Sequence, residues 1–286
     1  MKLLKRLFEI IAAEGPIGGY YAIKRAIYWN LIPPIADFLH IKEEGEVIVD
    51  VLGSKIVLNL SDKGISRDLY FNKIREPEST RIFMKEIENV ENGNILDIGA
   101  NIGYYVLIEA KILKAGKVIA VEPDPRNFEL LKRQIEINEL QDKVELHNIA
   151  IGDKIGKIRF ICGDLGNNSK VSWDRDGGIE VNITTVDKLL QNKPISFLRF
   201  DVEGYEYFII KGAKKTLENN NLKIFMEVHP SYIKKYGGDI EEMWKILADY
   251  GFKIKYFVNY RNPQLKFTRR GLFRGEVVEM NICLSD

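Results

Sequence analysis

The residues with the most chemical content sit in short runs that close apolar segments. In LDIGANIGYY, Leu96 to Tyr105, Asp97 ends an apolar run, and Gly99 and Gly103 let the backbone pass close to a ligand before a helix begins. The spacing is G-x-x-x-G and not the G-x-G-x-x-G of a dinucleotide cradle, so a pyrophosphate is not indicated. Glu122 follows 23 residues after Gly99, at the end of VIAVE. A carboxylate there is placed to accept hydrogen bonds from the 2′- and 3′-hydroxyls of a ribose. The two features describe an adenosine ligand held at the carboxyl edge of a sheet without a diphosphate. Two further runs, RFDVEGYE and MEVHP, place Asp201, Glu203, Glu227 and His229 at the ends of their own strands. These are the titratable groups from which a general base would be drawn, and His229 has the ordinary pKa nearest to neutral. Asp201 reads as a site residue over the alternatives of a helix cap or a buried partner, whereas Glu203 could equally cap the helix through Gly204. Two or more carboxylates with one histidine would suit Mg²⁺ or Mn²⁺. No tight ligand spacing demands a metal, and none is assigned.

The elements that must hold these residues are legible as a change of grammar along the chain. Residues 1–40 have helical periodicity, and Glu46 to Leu60 reads as two β runs around Gly53 and Ser54, a hairpin. Ser79 to Glu88 is helical. From Asn94 the pattern alternates: ILDI is a strand, Tyr104 to Leu113 a helix, KVIAVE a strand, Arg126 to Asn138 a helix and KVELHNIA a strand. After an insertion come ISFLRFD, KIFMEV and GFKIKYFV as strands with helices between. Such alternation predicts a doubly wound α/β domain, a mostly parallel sheet with helices on both faces. The insertion, Lys154 to Asp187, carries KIRFI and IEVNIT around a polar loop and is expected to form a hairpin. The last run, VVEMNICL, follows a long loop and is expected to return antiparallel beside GFKIKYFV. A helical and hairpin cap over residues 1–90 and a ligand-binding domain over residues 91–286 are the expected divisions.

Taken in order, LDIGANIGYY, VEPDP, REPEST (Arg75 to Thr80), NIAIGDKIG (Asn148 to Gly156), ITTVDKLL (Ile183 to Leu190), FDVEGYE (Phe200 to Glu206) and MEVHP (Met226 to Pro230) resemble the FkbM-type family of class I S-adenosylmethionine-dependent methyltransferases. The likeness runs from about Gly45 to the C-terminus. It implies a Rossmann-like fold, S-adenosyl-L-methionine as cofactor, and O-methylation of a small-molecule, glycan or lipid-linked sugar acceptor on a hydroxyl or carboxylate. It also implies roles. Asp97, Gly99, Asn101 and Gly103, with Ala100 and Tyr104 of the same turn, would line the methionine end of the cofactor. Glu122 would hold the ribose, and Pro123, Asp124, Asn148 and Ala150 would lie beside the adenosine. Asp201 would stand where the transferable methyl sits, with Glu203, Glu227 and His229 near the acceptor. Glu76 and Glu78 of REPEST would close the acceptor pocket, although acids at a helix start also serve its dipole. Arg199 stands where the family often carries Lys, which preserves charge but not shape.

Composition bounds the partners. Forty-two Lys and Arg against 41 Asp and Glu leave a formal charge of +1. No global field would gather RNA, DNA or an anionic membrane, which argues against a nucleic-acid acceptor and leaves an RNA methyltransferase as the alternative reading. A non-catalytic nucleoside-binding protein is the rival from another class, and the absent phosphate glycines disfavour NAD. Two cysteines, Cys162 and Cys283, form no disulfide framework; both lie in apolar runs and read as small core residues. A cytoplasmic location follows as the default. MKLLKRLFEII reads as an amphipathic helix, because Arg6 and Glu9 interrupt any signal-peptide core. The stretch to residue 39 is broken by Lys24, Arg25, Pro33 and Pro34, too short for a span. Residues 1–39 therefore cover the core or a partner subunit, or form a peripheral membrane foot on the cytoplasmic face. RNPQLKFTRRGLFR, Arg261 to Arg274, is a basic loop, either solvated or a lid on an anionic acceptor.

Overall fold

The computed structural model describes residues 45–62, 64–90, 93–163, 170–171, 178–219, 221–259 and 280–284. The readings of residues 1–40 as helices and of 1–39 as a membrane contact, the polar loop of the insertion and the basic loop lie outside these residues.

The expected hairpin opens the described chain, β1 (Glu46–Val51) and β2 (Ser54–Asn59), antiparallel, with its turn at Leu52 and Gly53, one residue before the expected Gly53 and Ser54. Helix α1 (Ile65–Asn72) follows, which the sequence reading left out, and then α2 (Pro77–Glu88). The main sheet comprises β3 (Asn94–Ile98), β4 (Val118–Val121), β5 (Val144–His147), β10 (Ile195–Phe200), β11 (Lys223–Val228), β12 (Ile254–Asn259) and β13 (Met280–Leu284), in the order β12-β13-β11-β10-β3-β4-β5. All neighbours are parallel except β13, which runs antiparallel to both β11 and β12, so the returning last strand is present. It is a Rossmann-like α/β sheet, with α3 (Tyr104–Ile112) and α4 (Pro125–Ile137) in the first half. In the second half are α5 (Val186–Leu190), α6 (Glu206–Lys211), α7 (Lys214–Leu217), α8 (Pro230–Lys235) and α9 (Ile240–Asp249).

The strands are continuous apolar runs because both faces are covered. On one face Ile95, Phe197 and Phe225 pack with the hairpin, α2 and α3 through Val51, Ile56, Phe83 and Leu107. On the other, Leu96, Ile98, Leu198, Phe200 and Met226 pack against Val186, Ile209, Leu217 and Met243. The hairpin is joined to α4 by side chains that imitate a neighbouring strand. Gln134 accepts from the Val57 N–H at 2.8 Å and donates to its carbonyl at 2.7 Å, and Asn138 does the same for Lys55 at 2.9 and 2.7 Å. One helical turn separates the two amides and a two-residue strand step separates their partners, so both reach.

Two readings need correction. KVELHNIA is not one strand: β5 ends at His147, and β6 (Ala150–Ile151) leaves the main sheet to pair with β9 (Ile179–Thr184). The insertion forms the expected hairpin of β7 (Gly156–Ile161) with β9, joined by β8 (Lys170–Val171), and with β6 builds a separate four-stranded sheet. Cys162 lies just beyond β7 and is half-buried, at the margin of the core around Phe160 and Ile183 and not within a strand; it stands beside Asp124 and Arg126.

Candidate functional site

The strand order reverses between β3 and β10. The chain proceeds from β3 outward to β4 and β5, then crosses back to β10 and β11 on the other side. Loops leaving β3 and β10 therefore diverge and open a crevice at the carboxyl ends of the strands. The Gly99 turn and the Asp201 turn face each other there. Gly99 has φ +80, and a Cβ on it would stand 2.2 Å from the Asp201 carbonyl oxygen, so only glycine allows the two turns to meet. The turn is tied to β4 by Gly99 and Ala100 N–H groups donating to the Val121 carbonyl at 2.9 and 3.0 Å. Asn101, at φ +52, folds its own Oδ1 back to accept from the Ile102 N–H.

Glu122 stands just past β4 and is 4% exposed. It links the Gly99 turn to its own turn after β4, accepting from the Asn101 N–H and the Asp124 N–H, both at 2.8 Å. Burial pushes its carboxyl up to about 8, although the two N–H donors oppose the rise. Such a group binds a proton in the folded chain that the unfolded chain has released above its ordinary value. Stability is therefore lost as pH rises from the ordinary value of 4.5 through about 8, by at most about 1.4 kcal/mol per pH unit. Glu122→Gln should flatten that slope in thermal melts across the range; an equal slope in both proteins would contradict this placement of the charge. Asn148 is exposed and donates its amide to the carbonyls of Glu122 and Pro123 at 2.8 and 3.2 Å, a brace on that turn.

Other residues of the expected cofactor set are committed elsewhere. Tyr104 is buried, and its hydroxyl accepts from the Arg75 N–H at 3.2 Å and meets Thr80, so its ring fastens the REPEST segment to α3. Asp124 is fully buried and caps α4 through the Arg126 N–H while holding the Arg126 guanidinium. Ala150 is buried in β6 among Ile158, Phe160 and Ile183. What these three offer a ligand at the edge is backbone and shape.

A row of charge crosses the sheet beneath the crevice. Cross-strand register sets Arg199 directly against Asp97. Arg199 reaches Asp97 Oδ1 at 2.7 Å, the Gly99 carbonyl at 3.3 Å and Asp201 Oδ2 at 3.6 Å, with its guanidinium 4.2 Å from the centre of the Tyr105 ring. Burial pushes the Asp97 carboxyl above its ordinary value, and Arg199 pulls it back in part. Glu109 of α3 is fully buried in the same region, and burial and then Asp97 push it well above its ordinary value. The Tyr105 hydroxyl donates to Glu76 Oε2 at 3.2 Å, and Glu76 Oε1 lies 3.1 Å from Arg75 Nε. The REPEST segment thereby hangs over the strand ends.

Phe200 pairs with Met226, so the next residues, Asp201 and Glu227, stand side by side where β10 and β11 end. His229 joins them, and one ligand atom from each of the three lies within 4.8 Å of the others. His229 is 3% exposed; its Nδ1 meets Glu206 Oε1 at 2.7 Å, an oxygen that also accepts from the Gly204 N–H. Glu203, at φ +51, brings Oε2 to 3.6 Å from His229 Nε2. The expectation that His229 titrates near neutrality fails. Burial pushes the imidazole down, but the hydrogen bond and charge of Glu206, with Glu227 and Asp201, outweigh it and raise the ring well above its ordinary value. A ring that keeps its proton is no general base at neutral pH.

Arg199, Glu206, Tyr105 and Arg75 are the site residues that motif reading undervalued. A signal existed: ILDI, FLRF and FMEV share one grammar of two apolar residues, a charge and an apolar residue. In fully buried strands that charge must find a partner on its neighbour.

The family model described as Methyltransferase FkbM domain matches residues 97–254, more than half of the chain. A hexuronic acid methyltransferase of Haloferax volcanii is 23% identical over 177 residues, 61% of this chain and 68% of that protein. A tRNA(Phe) (4-demethylwyosine(37)-C(7)) aminocarboxypropyltransferase of Methanocaldococcus jannaschii is 29% identical over 129 residues, 42% of this chain and 51% of that protein. Among solved structures, the methyltransferase FkbM of Methylobacillus flagellatus superposes with a TM-score of 0.45 at 15% identity, over 68% of this chain and 44% of that one. The charge-based expectation against a nucleic-acid acceptor finds no support in these relatives. No helix among the described residues is long and apolar enough to cross a membrane.

Proposed function

Because the chain belongs to the FkbM methyltransferase domain family, we propose that it methylates an oxygen of a sugar or small acceptor, a hydroxyl or a carboxylate, with S-adenosylmethionine as donor. The observation that carries this reading is the approach of Gly99 to the Asp201 carbonyl, which joins the nucleoside turn to the acidic strand ends in one crevice. The residues fit the cofactor: a glycine turn with no room for a Cβ, and a buried carboxylate where a ribose diol would lie. When bound, the cofactor supplies an electrophilic methyl group on a sulfonium.

The chain's own residues would bind and orient. Asp97, Gly99, Ala100, Asn101 and Gly103 would hold the amino-acid end, Glu122 the ribose, and Pro123 with the Asn148 brace the adenosine side. Arg199 keeps Asp97 and Asp201 in place from below. Asp201 and Glu227 would accept the proton of a hydroxyl acceptor, whereas a carboxylate acceptor needs only alignment. His229, proton retained, fixes Glu203 and Glu227 beside them. The sugar-acid relative supports an acidic sugar as acceptor.

Asp201→Asn is expected to lower turnover by roughly 100-fold or more while S-adenosylhomocysteine affinity, read by calorimetry, stays within a few-fold. Equal loss in both would overturn the division of labour, and binding of NAD in place of S-adenosylhomocysteine would sink the reading. The tRNA enzyme among the relatives favours an RNA acceptor as the second reading. RNA binding that weakens steeply with salt, together with methylation of RNA and not of sugar acids, would select it.

A further inference from the structure

We propose that Asp201, Glu227 and His229 form a divalent-cation site, suited to Mn²⁺ or Mg²⁺, at the mouth of the crevice. It goes beyond the proposed reaction and does not depend on it. One oxygen from each acid and one ring nitrogen converge within 4.8 Å. The spacings inside are too long for hydrogen bonds: His229 Nε2 stands 3.7 Å from Glu227 Oε1 and 3.6 Å from Glu203 Oε2. Ligands bonded at about 2.1 Å to one octahedral ion stand about 3–4 Å apart, so these gaps match a shared ion.

A second observation comes from the histidine itself. Its side chain is nearly fully buried, its Nδ1 is committed to Glu206, and its Nε2 makes no hydrogen bond to the described residues. That nitrogen is aimed between two carboxylates, Glu203 and Glu227, at 3.6 and 3.7 Å. A carboxylate on the far nitrogen is the arrangement that orients a metal-binding imidazole and raises its basicity. Glu206 has a further buried oxygen without a hydrogen bond. The cations that act on the acids are shared: Arg199, 3.6 Å from Asp201, is held by Asp97, and the buried Arg75, which acts on Asp201 and Glu227, is held by Glu76. A cation and the proton on Nε2 are alternative occupants of one space, and metal binding releases that proton. Two carboxylate oxygens with one imidazole, open to solvent on the Asp201 side, suit a hard ion that keeps water ligands. Such an ion would grip an acceptor with neighbouring oxygens, a vicinal diol or a hydroxy acid, and lower the pKa of the hydroxyl it binds.

The test titrates chelator-treated full chain with Mn²⁺, reading free Mn²⁺ by electron paramagnetic resonance, with S-adenosylhomocysteine affinity measured in parallel. One Mn²⁺ per chain is expected. Affinity should fall by roughly tenfold or more in Glu227→Gln and His229→Ala and about tenfold in Glu206→Gln, with S-adenosylhomocysteine still bound. Absent saturable binding, or binding that all three variants retain in full, overturns the site. Should His229→Ala fold poorly, Glu227→Gln decides. Mn²⁺ binding without S-adenosylhomocysteine binding supports the cation site and removes the methyltransferase reading; the reverse result does the opposite.

Discussion

Replacing Arg199 by methionine is expected to cost about 3–5 kcal/mol of stability, because it strands Asp97 as a charge without a partner in the sheet interior. Asp97 is fully buried, and Arg199 is the cation that reaches it, at 2.7 Å. The same guanidinium spans Gly99, Asp201 and the Tyr105 face, so the turns above it should loosen and turnover fall with stability. Arg199→Lys keeps the charge but not the fork and should lie between the two. Burial already pushes the Asp97 carboxyl up, and without Arg199 it goes higher. The deficit is therefore largest at alkaline pH and shrinks on acidification as Asp97 takes a proton. Urea unfolding at two pH values measures this, and Asp97→Asn added to Arg199→Met should recover part of the loss. A single variant as stable as the parent would show that the pair is not what holds β3 to β10.

Gly99→Ala is the second large effect. The positive φ costs about 1–3 kcal/mol for a residue with a side chain, and the new Cβ would lie 2.2 Å from the Asp201 oxygen and 3.3 Å from Val202 Cγ1. Relief comes only by separating the ends of β3 and β10, which misplaces the nucleoside turn against the acids. A shift of about 1 Å is enough to cost roughly 100-fold in turnover. Gly237 provides the control: its φ is +76, but a Cβ there meets nothing within 4 Å. Gly237→Ala should show the backbone penalty in a thermal melt and leave S-adenosylhomocysteine affinity intact. If both variants bind it equally, close approach at Gly99 is not the constraint.

The parallel sheet with one reversed strand was legible because buried strands repeat as short apolar runs between amphipathic helices, and because VVEMNICL has no helix before it. The glycine turn and Glu122 were legible because their spacing is local. Helix α1 was missed; Ile65 to Asn72 is short and mixes apolar and charged residues without a clear stripe. The β5–β6 break was missed for a related reason, since KVELHNIA is a single β-compatible run and only pairing partners divide it.

Sequence alone determined the fold class, the glycine turn after β3 and which residues could carry charge at the strand ends. It did not determine their states, because these depend on which strand lies beside which. His229 looks like a neutral-range base until Glu206, 23 residues earlier, is placed 2.7 Å from its ring. Arg199 shows only as a charge in place of the family's Lys until cross-strand register sets it against Asp97, 102 residues away. Glu122 looks like an ordinary carboxylate until burial between two turns raises it to about 8. Desolvation and pairing act over a few ångströms of space between residues as many as 102 apart in the chain, so only the tertiary structure decides them.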